Sequence, residues 1–90
     1  MMKKNLNVIK GEITDISSII TIERQQKSSF RKVTVGVMTE DGQLIFFEVR
    51  DVVKGWDAIK VGEQVSISYY FAGSIKDDKL YNNIIAKFIN

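Results

Sequence analysis

Neither cysteine nor histidine occurs in the 90 residues, which removes disulfides, thiol chemistry and the usual zinc ligands. General-base and nucleophilic catalysis lose their usual parts with them. The acids show no pairing that spacing would bring together, so an enzyme is not expected. No Asp/Glu cluster has the spacing of a calcium loop, and no cofactor is expected. No apolar run approaches a membrane span, and residues 1–10 carry lysines without the apolar core of a signal peptide. A cytoplasmic location follows as the expectation, which a chain without cysteine suits.

What is present is ordinary for a soluble globular chain, with 44% hydrophobic and 27% charged residues. One domain over 1–90 is expected, with a small core and a flexible polar start at 1–7. The net charge of +2 is too mild by itself to argue for nucleic acid. Its distribution says more. Arg24, Lys27, Arg31 and Lys32 fall within nine residues that contain no acid, while acids gather at Glu40-Asp41 and Asp77-Asp78.

Residues 30–50 organise the chain. Val33, Val35 and Val37 share one parity and Ile45, Phe47 and Val49 another, the period-two signal of half-buried strands. A two-residue Asp41-Gly42 turn would put these sets on opposite faces. A three-residue Glu40-Asp41-Gly42 loop, with Gly42 left-handed and a bulge, pairs Val37 with Ile45, Val35 with Phe47 and Val33 with Val49. The outer face then sets Lys32 against Arg50, Thr34 against Glu48, Gly36 against Phe46 and Met38 against Leu44, with Phe30 beyond the basic pair. Facing cations destabilise a sheet unless something anionic lies between them. Either an external polyanion serves, or Glu48 neutralises both while Phe46 covers the backbone of Gly36. Under the first reading Lys32→Glu should leave stability unchanged or slightly raised; under the second it should lower it.

Around this hairpin, the first strand starts near Val8 and changes parity between Ile13 and Ile20, which calls for a bulge or bend. Residues 23–29 read as a polar, basic loop. Asp51 is a candidate N-cap, and Val52, Val53, Trp56 and Ile59 fall at helical spacing, so 51–59 reads as a short helix weakened by Gly55, with Trp56 plugging the core. In the strand 64–72, Val65, Ile67, Tyr69 and Phe71 take the core parity and Tyr70 faces out. Residues 73–79 read as a loop. In the last strand, 80–89, Ile84, Ala86 and Phe88 compete with Tyr81, Ile85 and Ile89 for the core.

The order strand, strand, strand, short helix, strand, strand, with a long bent first strand, is that of an all-β five-stranded Greek-key OB-fold barrel. A sandwich or SH3-like barrel is the alternative, against which the helix argues. Gly11-Glu12-Ile13, Ser29-Phe30-Arg31-Lys32, Ile45-Phe46-Phe47-Glu48-Val49, Val61-Gly62-Glu63-Gln64-Val65 and 80–86, in that order and spacing, resemble a family of small bacterial and mobile-element proteins distantly similar to single-stranded DNA-binding proteins. The chain departs from the family where Lys76 and Lys87 replace expected aromatics, and it ends at Asn90 without the acidic tail by which typical bacterial single-strand binders recruit partners.

OB-folds that hold single strands place basic residues and stacking aromatics on the second and third strands and on two loops. Here that predicts a site of Arg24, Lys27, Phe30, Arg31, Lys32, Phe46, Arg50, Tyr70, Lys76 and Lys79, binding single-stranded nucleic acid with little sequence preference. DNA rather than RNA rests on the resemblance alone. The competing class is a protein-interaction module of a replication or DNA-transfer complex, using Met38, Leu44 and Phe46 as a contact patch. Outward apolar residues on a small barrel also predict a homodimer or higher homo-oligomer.

Overall fold

The computed structural model describes residues 7–90. They form six strands: β1 (Asn7–Ile16), β2 (Ile20–Arg24), β3 (Lys27–Thr39), β4 (Leu44–Arg50), β5 (Gln64–Lys76) and β6 (Lys79–Ile89). The sheet order is β1-β5-β6-β4-β3-β2, and β1 also pairs with β3. All pairings are antiparallel except β4 with β6, which meet in parallel at Glu48 and Ile85. The fraying expected of 1–7 lies outside the described residues except at Asn7, which is paired with Tyr69 at the start of β1.

The expected long first strand is divided into β1 and β2. Two residues of β1, from Ile13 to Asp15, advance against one step of β3, from Val37 to Gly36, so a bulge falls inside the interval that the change of parity marks. The strand then breaks at 17–19, where Ser17 replaces the ladder. Its amide donates to the Thr34 carbonyl at 2.9 Å, and its hydroxyl accepts from the Thr34 amide at 2.8 Å. Upstream of the bulge, Gly11 pairs with both Thr39 and Val65. A Cβ there would stand 2.3 Å from the Met38 carbonyl oxygen and 2.7 Å from Val37 Cγ1, so only glycine lets the backbones approach this closely.

The β3–β4 hairpin has the register that the alternation requires, from Lys32 opposite Arg50 to Met38 opposite Leu44. Its loop closes with the Gly42 amide donating to the Thr39 carbonyl at 3.0 Å and the Thr39 amide to the Gln43 carbonyl at 2.9 Å. Gly42 is left-handed, with φ of 84°. Thr39, the one buried polar residue among those described, stabilises the loop by donating its hydroxyl to Asp41 and accepting from the Gln43 amide. Ile13, Val35, Val37, Phe47, Val49 and Ile67 are fully buried and centre the core.

Four expectations are corrected. No helix forms over 51–59. Three i→i−3 turns replace it, the amides of Val53, Trp56 and Ala58 donating to the carbonyls of Arg50, Val53 and Gly55, and Gly55, with φ of 78°, interrupts any continuation. Asp51 is diverted from capping because its carboxylate accepts from the Arg31 amide at 3.0 Å. Trp56 still plugs the core, 8% exposed.

The two expected loops are instead hairpin tips. β2 runs to Arg24 and β3 starts at Lys27, leaving only Gln25-Gln26 as the turn, with Gln26 left-handed. Arg24 secures it by donating twice to the Ser28 carbonyl, at 2.9 and 2.6 Å. β5 likewise runs to Lys76 and returns at Lys79 through Asp77-Asp78, whose φ values of 53° and 62° fit a tight hairpin turn that aspartate tolerates. Polarity at both tips reads as loop because neither strand face is covered there.

Phe71 leaves the core for the same reason. Among the described residues β1 accompanies β5 only as far as Tyr69, and beyond it β5 and β6 form a two-stranded arm on which Phe71 is 63% exposed. In β6 the competing parities both reach the interior, because a bulge leaves Lys87 without a partner between Ala86 (opposite Tyr69) and Phe88 (opposite Ser68). Ile84 and Ala86 face the core before the bulge and Ile89 after it, while Phe88 is exposed.

Candidate nucleic-acid interface

Because directly paired residues share a face, the pairings place the outer residues of five strands in continuous rows. Ile22 stands beside Phe30; Ile20, Lys32 and Arg50 form the next row; Thr34, Glu48, Ile85 and Tyr70 form the third, crossing β3, β4, β6 and β5; and Gly36 and Phe46 form the fourth. Of the ten residues that the sequence singled out, Phe30, Lys32, Phe46, Arg50 and Tyr70 therefore lie on one surface.

Electrostatically, that surface centres on Glu48. Its carboxylate accepts from Lys32 Nζ at 2.7 Å and from Arg50 Nε at 2.5 Å, and its side chain is only 14% exposed. Burial would raise the Glu48 pKa, but the hydrogen bonds from Lys32 and then Arg50, helped by their charges, outweigh it, and the group lies below the ordinary value of 4.5. Of the two readings of the facing cations, the structure realises the internal one: Glu48 pairs with both, leaving one net positive charge on the triad.

Arg50 also lies 4.8 Å from the centroid of the Phe30 ring, and Arg24 lies 4.9 Å from it. Phe30 is thus engaged by two guanidiniums, which it positions by cation–π attraction. Phe46 covers Gly36, its Cε1 lying 3.2 Å from where a Cβ would stand, yet the residue remains 54% exposed. Tyr70 is 40% exposed at the far end of the third row.

The other predicted residues are dispersed. Lys27 is paired with Arg24 at the tip of the β2–β3 hairpin. Lys76 and Lys79 are paired at the tip of the β5–β6 arm and flank Asp77-Asp78, whose charges balance theirs. Arg31 is turned away from the surface: it packs 5.1 Å from the Trp56 centroid, and its Nε lies 3.8 Å from Asp51. Among the described residues no carboxylate lies within ion-pairing distance of Lys27, Lys76 or Lys79.

Sequence reasoning missed Ile85, the partner of Tyr70 on β6, and Tyr81, which shares its parity. The bulge at Lys87 hides them, since it mixes two alternations in one strand. Among the described residues no group of three or more acidic side chains could hold a metal ion.

No protein-family model and no curated protein matches this chain. Solved structures do. The crystal structure of the small single-stranded DNA-binding protein from Streptomyces coelicolor superposes with a TM-score of 0.56 at 11% identity, covering 99% of this chain and 94% of that one. The mitochondrial single-stranded DNA-binding protein Rim1 of S. cerevisiae superposes with a TM-score of 0.53 at 17% identity, covering 99% of this chain and 95% of that one. The chain has the fold of these proteins and is distantly similar to the OB-fold single-stranded DNA-binding proteins.

Proposed function

We propose that this protein binds single-stranded DNA, largely without base preference, on the outer face that runs from Phe46 past Lys32 and Arg50 to Tyr70. In this reading β1 and β2 count as one bent strand of a five-stranded Greek-key barrel. The observation that carries it is the sharing of one face: the exposed rings of Phe46 and Tyr70 lie on rows adjoining a half-buried cationic cluster, with the buried Ile85 between Glu48 and Tyr70. Rings with free faces accept any base by stacking, and cations hold phosphate without reading sequence. Two proteins of the same fold are named for the same ligand. The basic tip at Lys27 would extend the cationic surface beyond Phe30.

Titration with a fluorescent oligo-dT at two salt concentrations tests the proposal. Binding at low salt that weakens steeply as salt rises is expected. Absence of binding at low salt overturns it and leaves the alternative, a protein-interaction module whose contact patch is Met38, Leu44 and Phe46, all exposed on adjoining rows. Self-association is part of the proposal, because Phe71, Ile75 and Leu80 give the β5–β6 arm an apolar face that no other described residue covers.

A further inference from the structure

A groove of about 650 Å³ opens where the turns after β4 pass the bulged end of β6. Its floor is Val53, Ile85 and Ala86, all buried. Its rim carries the exposed rings of Tyr70, Phe71 and Phe88, and Arg50 and Lys87 line it as well. None of the lining residues is acidic.

Three features favour a nucleotide as the occupant. The volume lies in the range of small-ligand sites, roughly 300–1,000 Å³. An apolar floor with aromatic walls suits a base, and the rim offers its phosphate Lys87, with Arg50 shared with Glu48. The groove is also continuous with the outer face, since Arg50 and Tyr70 belong to both. The bulge supplies Lys87: with no partner on β5, this residue departs from the strand alternation, and its Nζ lies 6.0 Å from the Phe88 centroid, with no carboxylate of the described residues within ion-pairing distance.

We infer that this groove is a nucleotide-holding subsite, into which a single strand leaving the outer face at Arg50 inserts its next base, with Lys87 on the phosphate. The inference rests on the single-strand reading of the outer face. It adds a path to that reading, because the strand turns off the sheet at Arg50 and Tyr70 instead of continuing along the arm.

The test compares oligo-dT binding by the intact protein with that of Lys87→Glu, Lys87→Arg and Val52→Glu, each at several salt concentrations. Val52 lines the groove, is 84% exposed and stands outside the strands, so its replacement decides the question if Lys87→Glu fails to fold. Each glutamate should weaken binding about tenfold, and Lys87→Glu should also make the salt dependence shallower by about one phosphate contact, while Lys87→Arg binds as the unaltered protein does. Lys54→Glu makes a similar change of charge outside this groove and should cost far less. If the unaltered protein binds oligo-dT and both groove glutamates bind it equally well, the subsite is overturned and the outer face stands. If they leave DNA affinity unchanged but abolish self-association in sedimentation, the groove belongs to a second copy and the inference also falls. If the unaltered protein does not bind at low salt, the outer-face reading fails first.

Discussion

Lys32 and Arg50 are direct cross-strand partners on β3 and β4, and the carboxylate of Glu48 holds both, at 2.7 and 2.5 Å. The protein thus carries its own counterion at the centre of the face proposed to hold DNA. Any phosphate that binds there competes with Glu48 for the same two donors.

Glu48→Gln should therefore separate stability from binding. The neutral amide leaves two facing cations without a counterion, and the loss should be about 1–2 kcal/mol, modest because both partners are partly solvated. Oligo-dT affinity should rise and its salt dependence steepen, since both cations become available to phosphate. Chemical denaturation and titration of the same preparation measure the two effects.

The pH dependence of stability follows from the same group. The Glu48 pKa is lowered in the folded state, so its contribution is fully present above the unfolded value near 4.5 and is lost as pH falls through the folded value. Acid denaturation of Glu48→Gln should lack this component, leaving a smaller stability difference from the unaltered protein below pH 4.5 than at neutrality. Equal differences at both pH values would contradict it.

Lys32→Glu sets a second carboxylate beside Glu48 and removes one of its two donors. Melting temperature should fall by several degrees, as a loss of about 1 kcal/mol does in a domain of this size, and DNA binding should weaken. Stability that is unchanged or raised, as the external-polyanion reading expects, would show that Glu48 does not neutralise the pair in solution.

Gly11→Ala tests the crossing of β1 over β3. The added methyl collides with backbone at Met38, which cannot swing away as a side-chain tip would, so a loss of about 1–3 kcal/mol is expected in denaturant unfolding. An unchanged midpoint would mean that the two strands are less closely apposed.

How much was legible in the sequence varied with how strictly the alternation held. The β3–β4 register followed from three valines on one strand and Ile45, Phe47 and Val49 on the other, because only a bulged three-residue loop lets both sets share a core. Trp56 was recognisable as core from its apolar neighbours, but the helix was not excluded, since the diversion of Asp51 to the Arg31 amide is a tertiary contact that spacing does not reveal. The hairpin tips read as loops because Lys27 and Lys76 pair with residues across a turn while both faces remain in water. The surface itself was half legible: Phe30, Lys32, Phe46 and Arg50 follow from the hairpin, and Tyr70 from the alternation of β5. Tyr81, Ile85 and Lys87 needed the bulge in β6. Arg31 belongs to the basic run, but it shares the inward parity of Val33, Val35 and Val37, and its stacking on Trp56 places it off this face.

The most direct measurement of the proposed face is the mapping of backbone amide shifts by NMR as oligo-dT is added at low salt. The largest changes are expected at Phe30 and Lys32, from Phe46 to Arg50, and around Tyr70, with little change at Lys54, Ala58 and Val61 on the turns after β4. Changes confined to those turns, with the β3–β4 face silent, would contradict the proposed binding surface.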